Sequence, residues 1–138
     1  MMLGLVAGGV MAVSLAAAGL NDADRTYIYS DSAEDGLSAY VFEPPQEVAT
    51  GAALLMLHGG GWSHGSPAWV ASTAALVAEQ GIVGIPLEYR LSRGEVTPLD
   101  AFRDVCRGLA WARENAEEMG VDPERIGFYG VSAGGHLA

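Results

Sequence analysis

One serine in this chain sits among small residues at a spacing that nucleophilic chemistry uses. Gly130-Val131-Ser132-Ala133-Gly134 sets a hydroxyl between two glycines, after the short apolar and aromatic run 126–129 and before Gly135-His136-Leu137-Ala138. A strand, a sharp turn and the first turn of a helix, in that order, form the context in which a G-x-S-x-G serine is exposed for attack on an acyl carbon. The serine must hold a strained backbone conformation there. The neighbouring backbone passes so close that a Cβ at position 130 or 134 would collide with it. In a chain with 19 glycines such a pentapeptide arises by chance about one time in six, and a Gly-rich turn before a helix is the competing reading at about that weight.

A second motif weighs between the two. His58-Gly59-Gly60-Gly61-Trp62 follows the apolar run 52–57 and precedes a helical pattern. Acyl transfer needs backbone N–H donors aimed at the oxygen that becomes negative, and a glycine run can turn its amides inward with no side chain in the way. The serine turn would supply the N–H of Ala133; the glycine loop would supply those of Gly60 and Gly61. A flexible loop or a phosphate cradle is the competing reading of a glycine triplet. No G-x-G-x-x-G opens the following helix, so a dinucleotide fingerprint is disfavoured.

The elements that must position these residues follow from pattern. Residues 26–29 and 37–42 are β-rich runs separated by a turn-forming cluster, and read as an antiparallel pair at a sheet edge, stopped by Pro44-Pro45. Residues 52–57, 82–87 and 126–129 are apolar without alternation, as buried parallel strands are. Between them lie two helices. The first opens at Ser66-Pro67 and ends at Gly81, with Trp69, Val70, Thr73, Leu76 and Val77 as its apolar stripe. The second opens at Thr97-Pro98-Leu99-Asp100 and closes by Gly120, with Leu99, Phe102, Val105, Cys106, Leu109 and Ala116 facing the core. Strands alternating with helices predict a mostly parallel sheet covered on both faces, with reactive groups gathered at the carboxyl ends of its strands. The glycine loop, Tyr89-Arg90 and Ser132 all fall at such ends.

Composition excludes several classes. Seventeen acidic residues against seven basic ones, all arginine, give a net charge of −10, and no basic patch supports nucleic-acid binding. A single cysteine, Cys106, permits no intramolecular disulfide and no cysteine-based metal site; its helical position predicts a small buried hydrophobe. Residues 1–20 carry no charge and are rich in Ala, Gly, Leu and Val, with Ala16-Ala17-Ala18 as a cleavage-type triplet. They read as a signal peptide, though without a basic start; a membrane-spanning helix is the alternative. A genuine leader would make the protein secreted or periplasmic; otherwise it is cytoplasmic. No stable membrane span is expected of the remainder.

With these residues in view, the sequence resembles the α/β-hydrolase superfamily of esterases and lipases, its HGGG-bearing members, and among them the acetyl-xylan and feruloyl esterase-like branch. The resemblance rests on His58-Gly-Gly-Gly-Trp62, Glu88-Tyr89-Arg90-Leu91 and the stretch from Gly127 through Gly-Val-Ser-Ala-Gly-Gly-His to Ala138. It implies a three-layer α/β-hydrolase fold, truncated here after the serine turn, so that residues 21–138 form the N-terminal part of the domain. It implies Ser132 as nucleophile and the amides of Gly60, Gly61 and Ala133 as the oxyanion hole. His58 would brace the loop, and Trp62 would line a substrate pocket or pack the loop. In such enzymes the triad runs Ser, then Asp or Glu, then His, so the acid and the histidine are expected beyond residue 138. Asp100 and Asp104 are expected to cap and to form ion pairs, Arg90 to tie loops together, and His136 to be structural. The reading is an ester hydrolase acting on small-molecule or acetylated-carbohydrate esters, with no metal and no cofactor. A peptidase or amidase of the same fold and a non-catalytic binding protein are the rivals.

Overall fold

A computed structural model of the chain describes residues 17–138. Strands β1 (Arg25–Ser30) and β2 (Leu37–Val41) pair antiparallel, and β3 (Ala52–Leu57), β4 (Ile82–Pro86) and β5 (Ile126–Gly130) form a parallel sheet in the order β4-β3-β5. Two isolated bridges, Ala39 with Leu87 and Phe42 with Gly84, fasten β2 to the outer side of β4. Helix α1 (Ala68–Glu79) connects β3 to β4, α2 (Pro98–Glu114) connects β4 to β5, and the short α3 (Ala133–Leu137) follows β5. This is the α/β-hydrolase architecture read from the sequence.

The strands are apolar on both faces because both faces are covered. Leu55 and Leu57 of β3 join Val83 and Ile85 of β4 in a cluster shared with Ala101, Val105 and Ala112 of α2. Met56, on the opposite face, packs with Phe42 and with Val70, Ala71 and Ala74 of α1. Leu55, Met56, Leu57 and Ile85 are fully buried, and each such side chain stabilises the fold by roughly 1.5–3 kcal/mol.

The apolar stripes predicted for the helices are partly displaced. Trp69 and Leu76 of α1 are exposed, and the buried positions are Val70, Ala71, Ala74 and Ala78. The reason is close approach: a Cβ on Gly84 would stand 2.8 Å from the Cα of Ala74 and 2.9 Å from its Cβ, a gap that admits only small residues. On α2 the buried residues are Ala101, Asp104, Val105, Gly108 and Ala112. Leu99 and Phe102 are 65% and 51% exposed, and Cys106 is exposed rather than a core residue. Here a Cβ on Gly108 would lie 2.6 Å from a methyl of Leu87. The large apolar side chains are turned outward because the helix lies too near the sheet to fit them beneath it.

Local signals read from sequence are realised at the start of α2. The Thr97 amide and hydroxyl both donate to Asp100 Oδ2, at 2.9 and 2.8 Å, with Pro98 in the first turn. Strand β5 differs from the buried strand expected. Its residues are half-buried and Tyr129 is exposed, because among the described residues β5 has a strand neighbour on one side only. The leader expected over 1–20 lies outside the described residues up to position 16. Ala18 and Leu20 pack against the α1 cluster, and Ser72 donates to the Ala18 carbonyl at 3.1 Å. No helix among the described residues is long and apolar enough to cross a membrane.

Candidate active site

The parallel register brings three loops to one end of the sheet. Met56 pairs with Pro86 and Leu57 with Gly130, so the residues following each strand emerge together: His58 to Trp62 after β3, Tyr89 and Arg90 after β4, and Val131 and Ser132 after β5.

Ser132 holds φ 53°, ψ −116° between β5 and α3. A non-glycine residue in this region is strained by about 1–3 kcal/mol and persists only where its surroundings over-determine it. They do so here. A Cβ on Gly130 would overlap the Gly134 carbonyl, and one on Gly134 would overlap the carbonyl of Leu57 and stand 2.6 Å from that of His58. The turn is thus clamped between its own helix and the end of β3. The Gly134 amide donates to Val131 at 2.9 Å and the His136 amide to Ser132 at 3.1 Å. Among the described residues Ser132 is exposed.

The glycine loop lies directly against that turn. A Cβ on Gly59 would come within 3.0 Å of the Val131 carbonyl and 3.3 Å of Ser132 Cβ. Gly60 and Gly61 have φ of 121° and 57°, and Trp62 has 62°. The loop folds over its own carbonyl: the amides of Ser63 and His64 both donate to Gly60 O at 3.1 Å. Among the described residues, the amides of Gly60, Gly61 and Ala133 donate to no protein acceptor. These N–H groups lie on two segments that touch beside Ser132.

His58 is buried behind this loop, 2% exposed, with Nδ1 2.6 Å from Gly59 O. Burial pushes its imidazole below the ordinary value of 6.5, and because Gly59 O can only accept, the Nδ1 contact puts a proton on Nδ1. Tyr89 stacks on it, ring centroids 4.4 Å apart and planes within 13°, and donates its hydroxyl to His58 O at 2.7 Å. Burial pushes the Tyr89 phenol up to about 12, which keeps it a donor. Gly65 belongs to the same arrangement: a Cβ there would stand 2.5 Å from His58 Nδ1. Sequence reasoning passed over Gly65 and left Tyr89 inside an unassigned motif. The Gly-Ser-Pro lead into α1 was the available signal for the first; none marked the second, because its partner lies 31 residues away.

Arg90 is tied down as expected. Its amide and Nε donate to Asp104 Oδ2 at 3.0 and 2.8 Å and its Nη2 to Oδ1 at 2.8 Å. Asp104 is fully buried; it and the Asp100 cap are engaged in α2 and its ion pairs. Trp62 packs edge-on against His136, 5.3 Å between centroids at 87°. With Pro98, Leu99, Phe102 and Leu137 these two rings line an open apolar cleft of about 310 Å³. His64 is exposed and lies 3.2 Å from the Ser63 hydroxyl. Among the described residues no histidine or carboxylate hydrogen-bonds Ser132, and no group of His, Cys, Asp and Glu could hold a metal ion.

The chain is similar to known ester hydrolases. Ethyl acetate hydrolase of Pseudomonas putida is 36% identical over 110 residues, covering 74% of this chain and 33% of the relative. Arylacetamide deacetylase of Bos taurus is 35% identical over 121 residues, covering 83% and 30%. The chain spans about a fifth to a third of the length of the curated relatives it matches. Among solved structures, propionate-bound esterase 2 of Thermogutta terrifontis superposes with a TM-score of 0.76 at 34% identity, covering 82% of this chain and 43% of that one. The BD-FAE family model matches residues 40–138. The chain belongs to the BD-FAE family of α/β hydrolases.

Proposed function

We propose that this chain carries the nucleophile and the oxyanion hole of a serine carboxylic-ester hydrolase. The observation that carries the reading is the conjunction of Ser132, held at a strained backbone conformation, with a glycine loop packed against its turn, whose Gly60 and Gly61 amides, like that of Ala133, have no protein acceptor among the described residues. Ser132 Oγ attacks the ester carbonyl as a general base takes its proton. The carbonyl oxygen becomes negative in the tetrahedral intermediate and accepts from the N–H groups of Gly60, Gly61 and Ala133. Collapse expels the alcohol, which takes up that proton. Water, deprotonated by the same base, then releases the acid from the acyl-enzyme and restores the serine. The base and its acid partner are assigned to residues beyond 138, in keeping with the short span of this chain on its relatives.

Small acyl esters are the proposed substrates, with acetylated carbohydrate as the finer assignment. The names of the Pseudomonas and bovine relatives support an ester or acetyl substrate, and the carbohydrate assignment rests on the sequence resemblance. The test is hydrolysis of 4-nitrophenyl acetate by the full-length protein and its Ser132→Ala variant. Loss of a triad serine is expected to lower kcat by about 10⁶-fold; a variant retaining a tenth of the activity would refute the assignment.

A further inference from the structure

The Gly60 amide is useful only if its direction is fixed, and glycines cannot fix it themselves. Gly59, Gly60 and Gly61 carry no side chains to restrict φ and ψ. The direction must come from the groups that hold the Gly59–Gly60 peptide unit, and the hydrogen bonds behind the loop show how.

A planar trans peptide points its C=O and N–H to opposite sides, so holding the carbonyl aims the amide. Gly59 O and Gly60 N–H belong to one peptide unit, and His58 Nδ1 holds that carbonyl at 2.6 Å. His58 O belongs to the preceding unit, and the Tyr89 hydroxyl holds it at 2.7 Å. Gly59 O only accepts, so the imidazole proton is on Nδ1. The single Tyr89 proton therefore goes to His58 O rather than to Nδ1, which lies 3.3 Å away. The Tyr89 ring, stacked on the imidazole, stops it from swinging out of line.

Tyr89 is itself fixed from both sides. On one, the Glu88 amide donates to Ser38 O at 2.9 Å and the Tyr29 hydroxyl to Glu88 O at 2.5 Å. On the other, Arg90 is bound to buried Asp104 through its amide and guanidinium. The residue is thus a peg set in the sheet and in α2 that reaches under the glycine loop.

Building on the esterase reading, we propose that Tyr89 is a positioning residue for the oxyanion hole, acting through the His58 carbonyl and imidazole to aim the Gly60 N–H. It touches no substrate. Its hydroxyl should matter to the transition state, where charge reaches that oxygen, and hardly to binding of the neutral ester.

The experiment uses the full-length protein and Tyr89→Phe, which removes one hydroxyl and keeps the stacked ring. Active sites are titrated with paraoxon so that kcat is expressed per functional serine, which removes any effect of misfolded enzyme. The expected result is a kcat about 10-fold lower on 4-nitrophenyl acetate with KM within twofold. Affinity for a trifluoromethyl ketone, whose adduct is a tetrahedral oxyanion, is expected to fall by a similar factor. Unchanged kcat per titrated site, or a loss confined to KM, would overturn the proposal. The two readings fail separately: activity persisting in Ser132→Ala would sink the esterase site itself, whereas a normal Tyr89→Phe in a Ser132-dependent enzyme would sink only the positioning role.

Discussion

Replacing Asp104 by alanine is expected to destabilise the protein by about 3 kcal/mol. The carboxylate is fully buried and accepts from the Arg90 amide, Arg90 Nε, Arg90 Nη2 and Arg107 Nη1, all between 2.8 and 3.1 Å. Removing one partner of a buried pair costs about 3–5 kcal/mol when the other charge is left without water. Two features pull the figure to the low end. The Arg90 side chain is 22% exposed and that of Arg107 51%, so both guanidinium groups can partly rehydrate. One feature keeps it above the ~0–1 kcal/mol of a surface ion pair: the Arg90 amide, beside β4, loses its acceptor. Asp104→Asn keeps an acceptor but turns an NH₂ toward a donor, and is expected to cost about 1–2 kcal/mol. Urea unfolding gives the values, with Arg90→Met and the double variant closing a cycle. The double variant should be less destabilised than the sum of the singles, by about 1 kcal/mol or more. A loss below 1 kcal/mol for Asp104→Ala, additive with Arg90→Met, would refute the reasoning that this pair pins the β4 loop.

Two further outcomes follow from the site. Gly134→Ala drives a Cβ into backbone carbonyls of Leu57 and His58 and should cost about 3 kcal/mol, whereas Gly61→Ala meets no atom within 4 Å and should cost only the left-handed backbone strain, about 1 kcal/mol; equal costs in urea unfolding would contradict the difference. Burial holds His58 below 6.5 despite the opposing pull of Gly59 O and Glu88, so the unfolded chain takes up the proton first as pH falls. Stability should therefore decline as pH drops below about 6.5, down to the lower value of the folded imidazole, and the urea midpoint of His58→Asn should be flatter over pH 7 to 5.5 than that of the parent.

What the sequence made legible was local chemistry. Thr97, Pro98 and Asp100 could be read as a helix start because the cap is satisfied within three residues. The glycines around Ser132 could be read because a second glycine run, at the end of another strand, weighed against a bland turn. The contact partners of a helix face are set by distance to the sheet, which no local pattern encodes. Leu99, Phe102, Trp69, Leu76 and Cys106 were therefore placed inward on apolar identity, while alanines and glycines occupy the interface. The Tyr89–His58 stack joins two loops through the parallel register, and only the assembled sheet brings them together.

The most direct measurement is mass-spectrometric mapping of the adduct formed when the full-length protein is treated with paraoxon. The account predicts one diethylphosphoryl group per chain, on the peptide containing Ser132, with activity lost in proportion and no adduct in Ser132→Ala. Inactivation with the adduct on another residue, or hydrolysis that survives full modification of Ser132, would contradict it.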